Sequence, residues 1–210
     1  MPVSFFATFF ALLLFTSPVL AAEVPTAQDK LAPHQVLRGS FIETHPVKGF
    51  DKPMTTSGTF VVAPQYGLLW EIQKPMATTT IVTRETSVQD IGGLVIKLPI
   101  KNLQRLYDIV SSALIGRWST LEKDFVITKG AKDAPWQLTL TPRRDVQSPM
   151  PYKVITVSGN RFIESIVLTK LNGAYESVTF SEQTLTSLPL LGEEAAKFSK
   201  IKKTSQEEAQ

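Results

Sequence analysis

Beyond its first 22 residues the chain is dominated by apolar residues spaced two apart. Thr59-Phe60-Val61-Val62 and Leu68-Leu69-Trp70-Glu71-Ile72 are rich in strand formers, and Pro64-Gln65-Tyr66-Gly67 sits between them as a turn. Residues Thr78 to Thr83 are β-branched at every position, which restricts χ1 and favours a pleated strand. Thr86 to Ile91 and Leu94 to Leu98 flank Gly92-Gly93, the composition of a tight hairpin turn. Phe125 to Thr128 and Trp136 to Thr141 read as neighbouring strands, the second alternating Trp136, Leu138 and Leu140 with polar residues. Tyr152 to Val157, Arg161 to Leu171 and Ala174 to Gln183 then form a three-strand meander, turned at Ser158-Gly159-Asn160 and at Asn172-Gly173. Consecutive hairpins imply antiparallel pairing, and the lack of strand–helix alternation argues against a parallel α/β fold.

One segment departs from this period. From Lys101 to Arg117, Leu103, Leu106, Tyr107, Val110 and Leu114 recur at helical spacing within an arc of roughly 100°. Pro99 before it and Gly116 near its end are suitable start and stop signals. A short second helix is expected over Glu193–Phe198, and a brief one between Ala22 and His34, limited by Pro25 and Pro33. A single strong amphipathic helix must bury its apolar stripe, and one mouth or face of a curved sheet is the simplest place for it.

The N-terminus changes the picture of where the protein works. Phe5 to Phe15 is apolar except for Thr8, too short for a membrane-spanning helix of about 20 residues but suited to the centre of a secretory signal peptide. Pro18 and small residues follow, so cleavage is expected after Ala21 or Ala22, although no Lys or Arg lies between Met1 and Phe5. The expected organisation is a signal peptide at 1–22, one domain at 23–199 and a polar, disordered tail at 200–210. The periplasm is the expected compartment. With no cysteine the chain has neither a disulfide nor the residue that a lipid-modified protein carries at its cleavage site.

Charge and candidate chemistry add little. The formal net charge is +3, and the one dense basic cluster, Lys197, Lys200, Lys202 and Lys203, reads as solvated, as do the carboxylate pairs Glu193-Glu194 and Glu207-Glu208. Only two histidines are present, His34 and His45, with no His-Glu-x-x-His spacing. There is no Gly-x-Ser-x-Gly elbow and no Gly-rich phosphate loop. Neither catalysis, a metal nor a cofactor is expected.

Several segments, in order, resemble the outer-membrane lipoprotein carrier (LolA-like) family. Gly39-Ser40-Phe41 is similar to its first-strand pattern. Ser57-Gly58-Thr59-Phe60 leads through Pro64 to Trp70-Glu71-Ile72-Gln73-Lys74-Pro75, and Trp136-x-Leu138-x-Leu140-x-Pro142 is similar to a later strand that ends in proline. The match runs from about Gly39 to Leu185.

The resemblance implies a mainly β fold with minor α: a half-open antiparallel β-barrel, or strongly curved sheet, with a helical lid over an apolar concave face. It implies a monomeric periplasmic carrier that shields the acyl chains of a lipid or lipoprotein. Such a carrier would take its cargo from an inner-membrane exporter and pass it to an outer-membrane acceptor, without covalent chemistry. By position Trp70 matches the family's cavity-lining tryptophan. Phe60 and Val62 would share its face, and Leu103, Leu106, Val110 and Leu114 would form the underside of the lid. One departure stands out: Ala63, before Pro64, occupies the place of an arginine that latches the lid in lipoprotein carriers. That departure leaves open whether the cargo is a lipoprotein or another lipid. The other function weighed is an envelope-sensing or regulatory module of the same shell type, acting through a protein partner.

Overall fold

The computed structural model describes residues 30–47, 49–50, 52–98, 101–130, 136–144 and 151–207, with the side chains of 101–106 and 201–207 excepted. Eleven strands form one antiparallel sheet: β1 Gln35–His45, β2 Met54–Ala63, β3 Gly67–Lys74, β4 Thr78–Val82, β5 Ser87–Ile91, β6 Leu94–Lys97, β7 Phe125–Lys129, β8 Trp136–Pro142, β9 Tyr152–Gly159, β10 Ile163–Lys170 and β11 Tyr175–Ser187. Among the described residues three helices complete the fold: α1 Lys101–Ile115, α2 Trp118–Leu121 and α3 Gly192–Glu207.

The strand order is β6-β5-β4-β3-β2-β1-β11-β10-β9-β8-β7. Two hairpin ladders, β1–β6 and β7–β11, therefore meet where β1 pairs with β11. The sheet does not close, since β6 and β7 remain as its edges. Its curvature is evident from what shares a core. Val82 of β4 and Phe125 of β7, far apart in strand order, lie in one apolar cluster with Leu138, Ile155, Ile166 and Val178. A half-open, curled sheet with a helix in its concavity matches the architecture that the resemblance implies.

Alternation then divides the side chains between two faces. On β1 to β3, Leu37, Phe41, Phe60, Val62, Leu68 and Trp70 point into the concave cluster, while Val36, Val61, Ala63 and Leu69 point the other way into a second one. Helix α1 packs on the concave side, where Ile109, Val110, Ala113, Leu114 and Ile115 join the core. Helix α3 covers the convex side, adding Phe198, with Leu190 just before it, to the outer cluster. Strands β2 to β4 are thus buried on both faces, which explains why their sequences read as nearly continuous apolar runs.

Three expectations need correction. Glu194, read as solvated, is buried and bonded to Arg38 through both oxygens, at 2.6 and 2.7 Å. It also accepts the Leu191 N–H at 2.9 Å, inside the first turn of α3. Lys197, read as part of a solvated cluster, pairs with Glu71 on β3 at 2.5 Å. Both depend on α3 docking against the sheet, a tertiary event that local composition does not encode. The backbone of α3 also remains helical to Glu207, well past the expected end at Phe198 and into the polar stretch for which the sequence predicts no structure.

Helix α1 follows its prediction closely. It ends at Ile115, with the Gly116 N–H on the Ala113 carbonyl at 2.8 Å. Short helix α2 was not anticipated. Of the expected Ala22–His34 helix, residues 22–29 lie outside the described residues, and the chain turns at Pro33-His34 before entering β1. Residues 1–22, expected to be a signal peptide, also lie outside them, as do Pro99 and the final residues 208–210.

Candidate functional site

The floor of the concave face is aromatic. Trp70 stacks on Phe41 with ring centroids 3.7 Å apart, and it meets Phe180 edge-on at 6.1 Å. Phe60 lies 6.2 Å from Trp70 and 5.4 Å from Phe180. Four rings from four strands thus form one surface, joined by the close Phe41–Trp70 stack and by edge-to-face contacts with Phe180.

Gly39 makes this packing possible. A Cβ at that position would stand 2.7 Å from the Phe60 ring, so the Phe60 side chain occupies the space that the glycine leaves free. The sequence pattern Gly39-x-Phe41 on one strand and Phe60 on its neighbour, paired in register with Gly39, is the local signal for this arrangement.

Helix α1 closes over the floor. Tyr107 sets its ring edge-on to Trp70 at 6.2 Å, and its hydroxyl reaches Thr80 Oγ1 on β4 at 3.5 Å. Burial, more than anything else, pushes the Tyr107 phenol above its ordinary range. Val110 and Leu114, further along the same face, are buried in the concave cluster. The far end of the helix is held by the Leu31 N–H, which donates to the Ile115 carbonyl at 2.9 Å.

Of the sequence-predicted residues, Trp70, Phe60, Val62, Val110 and Leu114 come together in one cluster. The backbones of Leu103 and Leu106 belong to α1, but their side chains lie outside the described residues. Phe41, Phe180 and Tyr107 are not among the site residues expected, although Phe180 alternates with polar neighbours and Tyr107 stands on the apolar stripe of the helix.

Ala63 stands apart from these residues. It is fully buried in the outer cluster beside Phe198 and Leu190, on the side of the sheet away from α1. A long cationic side chain there would have to enter the contact between α3 and the sheet, and it could not reach the lid. The described contacts that seat α1 on the strands are apolar and aromatic, with the Tyr107–Thr80 hydrogen bond as a polar addition.

A polar group stands at one end of the same concave face. His45 lies between two carboxylates, Glu43 Oε1 at 3.2 Å from Nε2 and Glu176 Oε1 at 3.6 Å from Nδ1. Lys170 also pairs with Glu176, and Thr56 donates to Glu43 at 3.3 Å. The hydrogen bond to Glu43 raises the His45 pKa, and both carboxylates favour the imidazolium. Tyr152, on adjacent β9, is pushed up to about 12 by burial and by the charges of Glu176 and Glu43.

These groups neutralise one another rather than arming a nucleophile, because the partners of His45 are carboxylates and not a serine. Among the described residues no group of three or more His, Cys, Asp and Glu side chains is arranged to hold a metal ion. None of the described helices is long and apolar enough to cross a membrane.

No family model matches the chain, and neither does any curated protein. Solved structures of LolA-superfamily and lipoprotein-sorting proteins are among those to which it is similar, at low identity. The LolA superfamily protein NE2245 from Nitrosomonas europaea has a TM-score of 0.48 and 10% identity, over 78% of this chain and 92% of that one. An outer membrane lipoprotein-sorting protein domain from Vibrio parahaemolyticus gives a TM-score of 0.43 and 10% identity, over 81% and 91%. The MucA/MucB complex of Pseudomonas aeruginosa gives a TM-score of 0.44 and 12% identity, over 75% of this chain and 54% of that chain. At these identities and TM-scores the likeness concerns the path of the chain alone.

Proposed function

We propose that this chain is a noncovalent carrier of acyl chains, which binds the hydrocarbon of a lipid or lipoprotein on the aromatic floor beneath α1. The observation that carries the reading is the position of Trp70, which has Phe41 of the sheet against one side and Tyr107 of the helix against another. Movement of α1 away from β3 and β4 would uncover a continuous apolar surface of Phe41, Phe60, Trp70 and Phe180. Return of the helix would cover it again.

The energetics suit exchange. A 16-carbon chain left in water costs on the order of 12 kcal/mol, so a carrier must shield it. In the closed form the underside of α1, with Ile109, Val110, Ala113 and Leu114, occupies the floor itself. An incoming acyl chain therefore competes with the protein's own side chains. Most of its burial energy is offset by what the helix gives up, which leaves cargo bound weakly enough to be released.

In this reading the N-terminal 22 residues direct export to the periplasm. An inner-membrane exporter loads the carrier and an outer-membrane acceptor unloads it. Position 63 lies on the face away from α1, so it does not decide between a lipid and a lipoprotein as cargo. Two measurements test the proposal. Organic extraction of protein purified from its native compartment, followed by mass spectrometry, is expected to release acyl-containing material. A fluorescent fatty-acid probe is expected to bind, and to be displaced by long-chain but not short-chain lipids. Protein that is empty on extraction and also inert to the probe would refute the reading.

A further inference from the structure

Strand direction alternates across the sheet, so the β1–β2, β3–β4, β5–β6 and β10–β11 connections all emerge at one end. The four most exposed large apolar residues among those described are Phe50 (74%), Leu171 (72%), Leu94 (66%) and Met76 (64%). Phe50, Met76 and Leu171 stand in three of these connections, and Leu94 opens the edge strand β6 directly after the fourth, followed by the exposed Val95 and Ile96. Met54 and Tyr175, also exposed, flank two of the same tips. At the opposite end Tyr66 lies against Phe198, and Leu191 leads into the first turn of α3, so both belong to the docking of that helix.

Single exposed apolar side chains are ordinary on soluble proteins, but four in or directly after separate turns along a common rim are not. Turn positions normally favour small and polar residues. Nothing in the geometry of these turns requires phenylalanine, methionine or leucine. Lysines stand along the rim as well: Lys52 lies two residues from Phe50, Lys74 two residues from Met76, and Lys153 is the second residue of β9, beside the β10–β11 turn. All three lysines are exposed. The rim carboxylate Glu176 is already paired with Lys170 and His45, and Asp90 accepts the Gly93 N–H. Apolar tips interleaved with lysines are complementary to a surface that is apolar inside and negatively charged outside.

We propose that this rim is a membrane-contact surface that docks on an anionic lipid bilayer. Phe50, Met76, Leu94 and Leu171 enter the headgroup region, and Lys52, Lys74 and Lys153 meet lipid phosphates. The binding is shallow and reversible, as suits a protein that visits a membrane and leaves it. It does not depend on what the concave face holds.

The test uses the purified chain and sedimented vesicles, either pure phosphatidylcholine or phosphatidylcholine with about a third phosphatidylglycerol. Binding is expected to the anionic vesicles and to weaken as salt rises. Exchange of Phe50→Ser together with Leu171→Ser should lower partitioning by about tenfold or more. Lys52→Glu with Lys74→Glu should lower it by about fivefold per lysine, with a shallower salt dependence. Tyr66→Ser at the other end should leave partitioning unchanged, and thermal melts should show every variant folded. Wild-type protein that ignores anionic vesicles, or rim variants that bind as well as wild type, would overturn the proposal. The fatty-acid probe in solution separates the two readings. Rim variants that still bind the probe leave the carrier intact while docking is lost. Vesicle binding without probe binding keeps docking and removes the carrier.

Discussion

Trp70 and Phe41 stand on strands separated by β2, yet their rings stack at 3.7 Å with an interplanar angle of 22°. The β2 residue opposite Phe41 is Gly58, so no β2 side chain stands between them at that point. Trp70→Ala is expected to destabilise the protein by about 3–5 kcal/mol, as other buried large-to-small aromatic changes do. Trp70→Phe should cost less and keep the site. With Trp118 and Trp136 replaced by Phe, the remaining tryptophan should emit as a buried indole and shift on addition of lipid. A constant spectrum through saturation with lipid would place the ligand elsewhere.

In the proposed carrier, helix α1 leaves β4 for cargo to reach Trp70. In a chain without cysteine, Tyr107→Cys with Thr80→Cys offers two unique thiols across the lid. Joined by a short bifunctional maleimide, they should hold the helix down and abolish uptake of the fatty-acid probe. The unlinked double variant should still load. Equal loading in both forms would show that cargo enters without lid movement.

Gly39→Ala should destabilise by about 1–3 kcal/mol through overpacking against the Phe60 ring. Combining it with Phe60→Leu, which shortens that side chain, should recover part of the loss. A non-additive cycle, read from urea midpoints at constant m, is the expected result.

Arg38 and Glu194 tie β1 to α3 with little exposure on either side. Burial alone would push the Glu194 carboxyl up, but the bonds from Arg38 and the Leu191 N–H bring it below its usual value. Arg38→Met leaves that carboxylate without its partner and should cost about 3 kcal/mol, whereas Arg38→Met with Glu194→Leu should cost much less. Chemical denaturation of the two variants distinguishes these outcomes.

The His45 group predicts a specific pH dependence. Its pKa is raised, chiefly by the hydrogen bond to Glu43, with Glu176 adding to the effect. Glu43 faces it from its own strand, Glu176 and Lys170 from β11 and β10, and the Tyr152 phenol lies within the field of both carboxylates. A raised histidine contributes stability that is fully present below its ordinary pKa of about 6.5, and loses it as pH rises through the folded value. The stability difference between wild type and His45→Gln should therefore be largest near pH 6 and shrink toward pH 8 and above. A difference that grew with pH would show that the neutral imidazole is the stabilising form.

Much of the shell was legible because its two periods are written locally. The strand-forming apolar runs of β2 and β3, the alternation on β8 and the 3.6-residue stripe of α1 each need only nearby residues to be read. Trp70, Phe60, Val110 and Leu114 followed from those stripes and from the resemblance. Phe41 and Phe180 did not, because their part in the floor depends on β1 pairing with β11 across more than a hundred residues of sequence. The burial of Glu194 was hidden for the same reason. Its partner Arg38 lies 156 positions away, and a glutamate in a polar helix gives no sign of it.

The placement of α3 divides the sheet mechanically. Strands β2 to β4 are clamped between two helices, whereas the outer surfaces of β8 to β11 alternate to polar and partly exposed residues. One half of the shell is thus a stiff anvil and the other a single-layer leaf. When a guest thickens the interior, the strain should pass into the leaf, which widens while the anvil keeps its shape. If the shell carries a guest as proposed, its capacity is set by the flexure of its unbacked strands, and the firmness of its grip by the helix on the outside, which lies on the far side of the sheet from the guest.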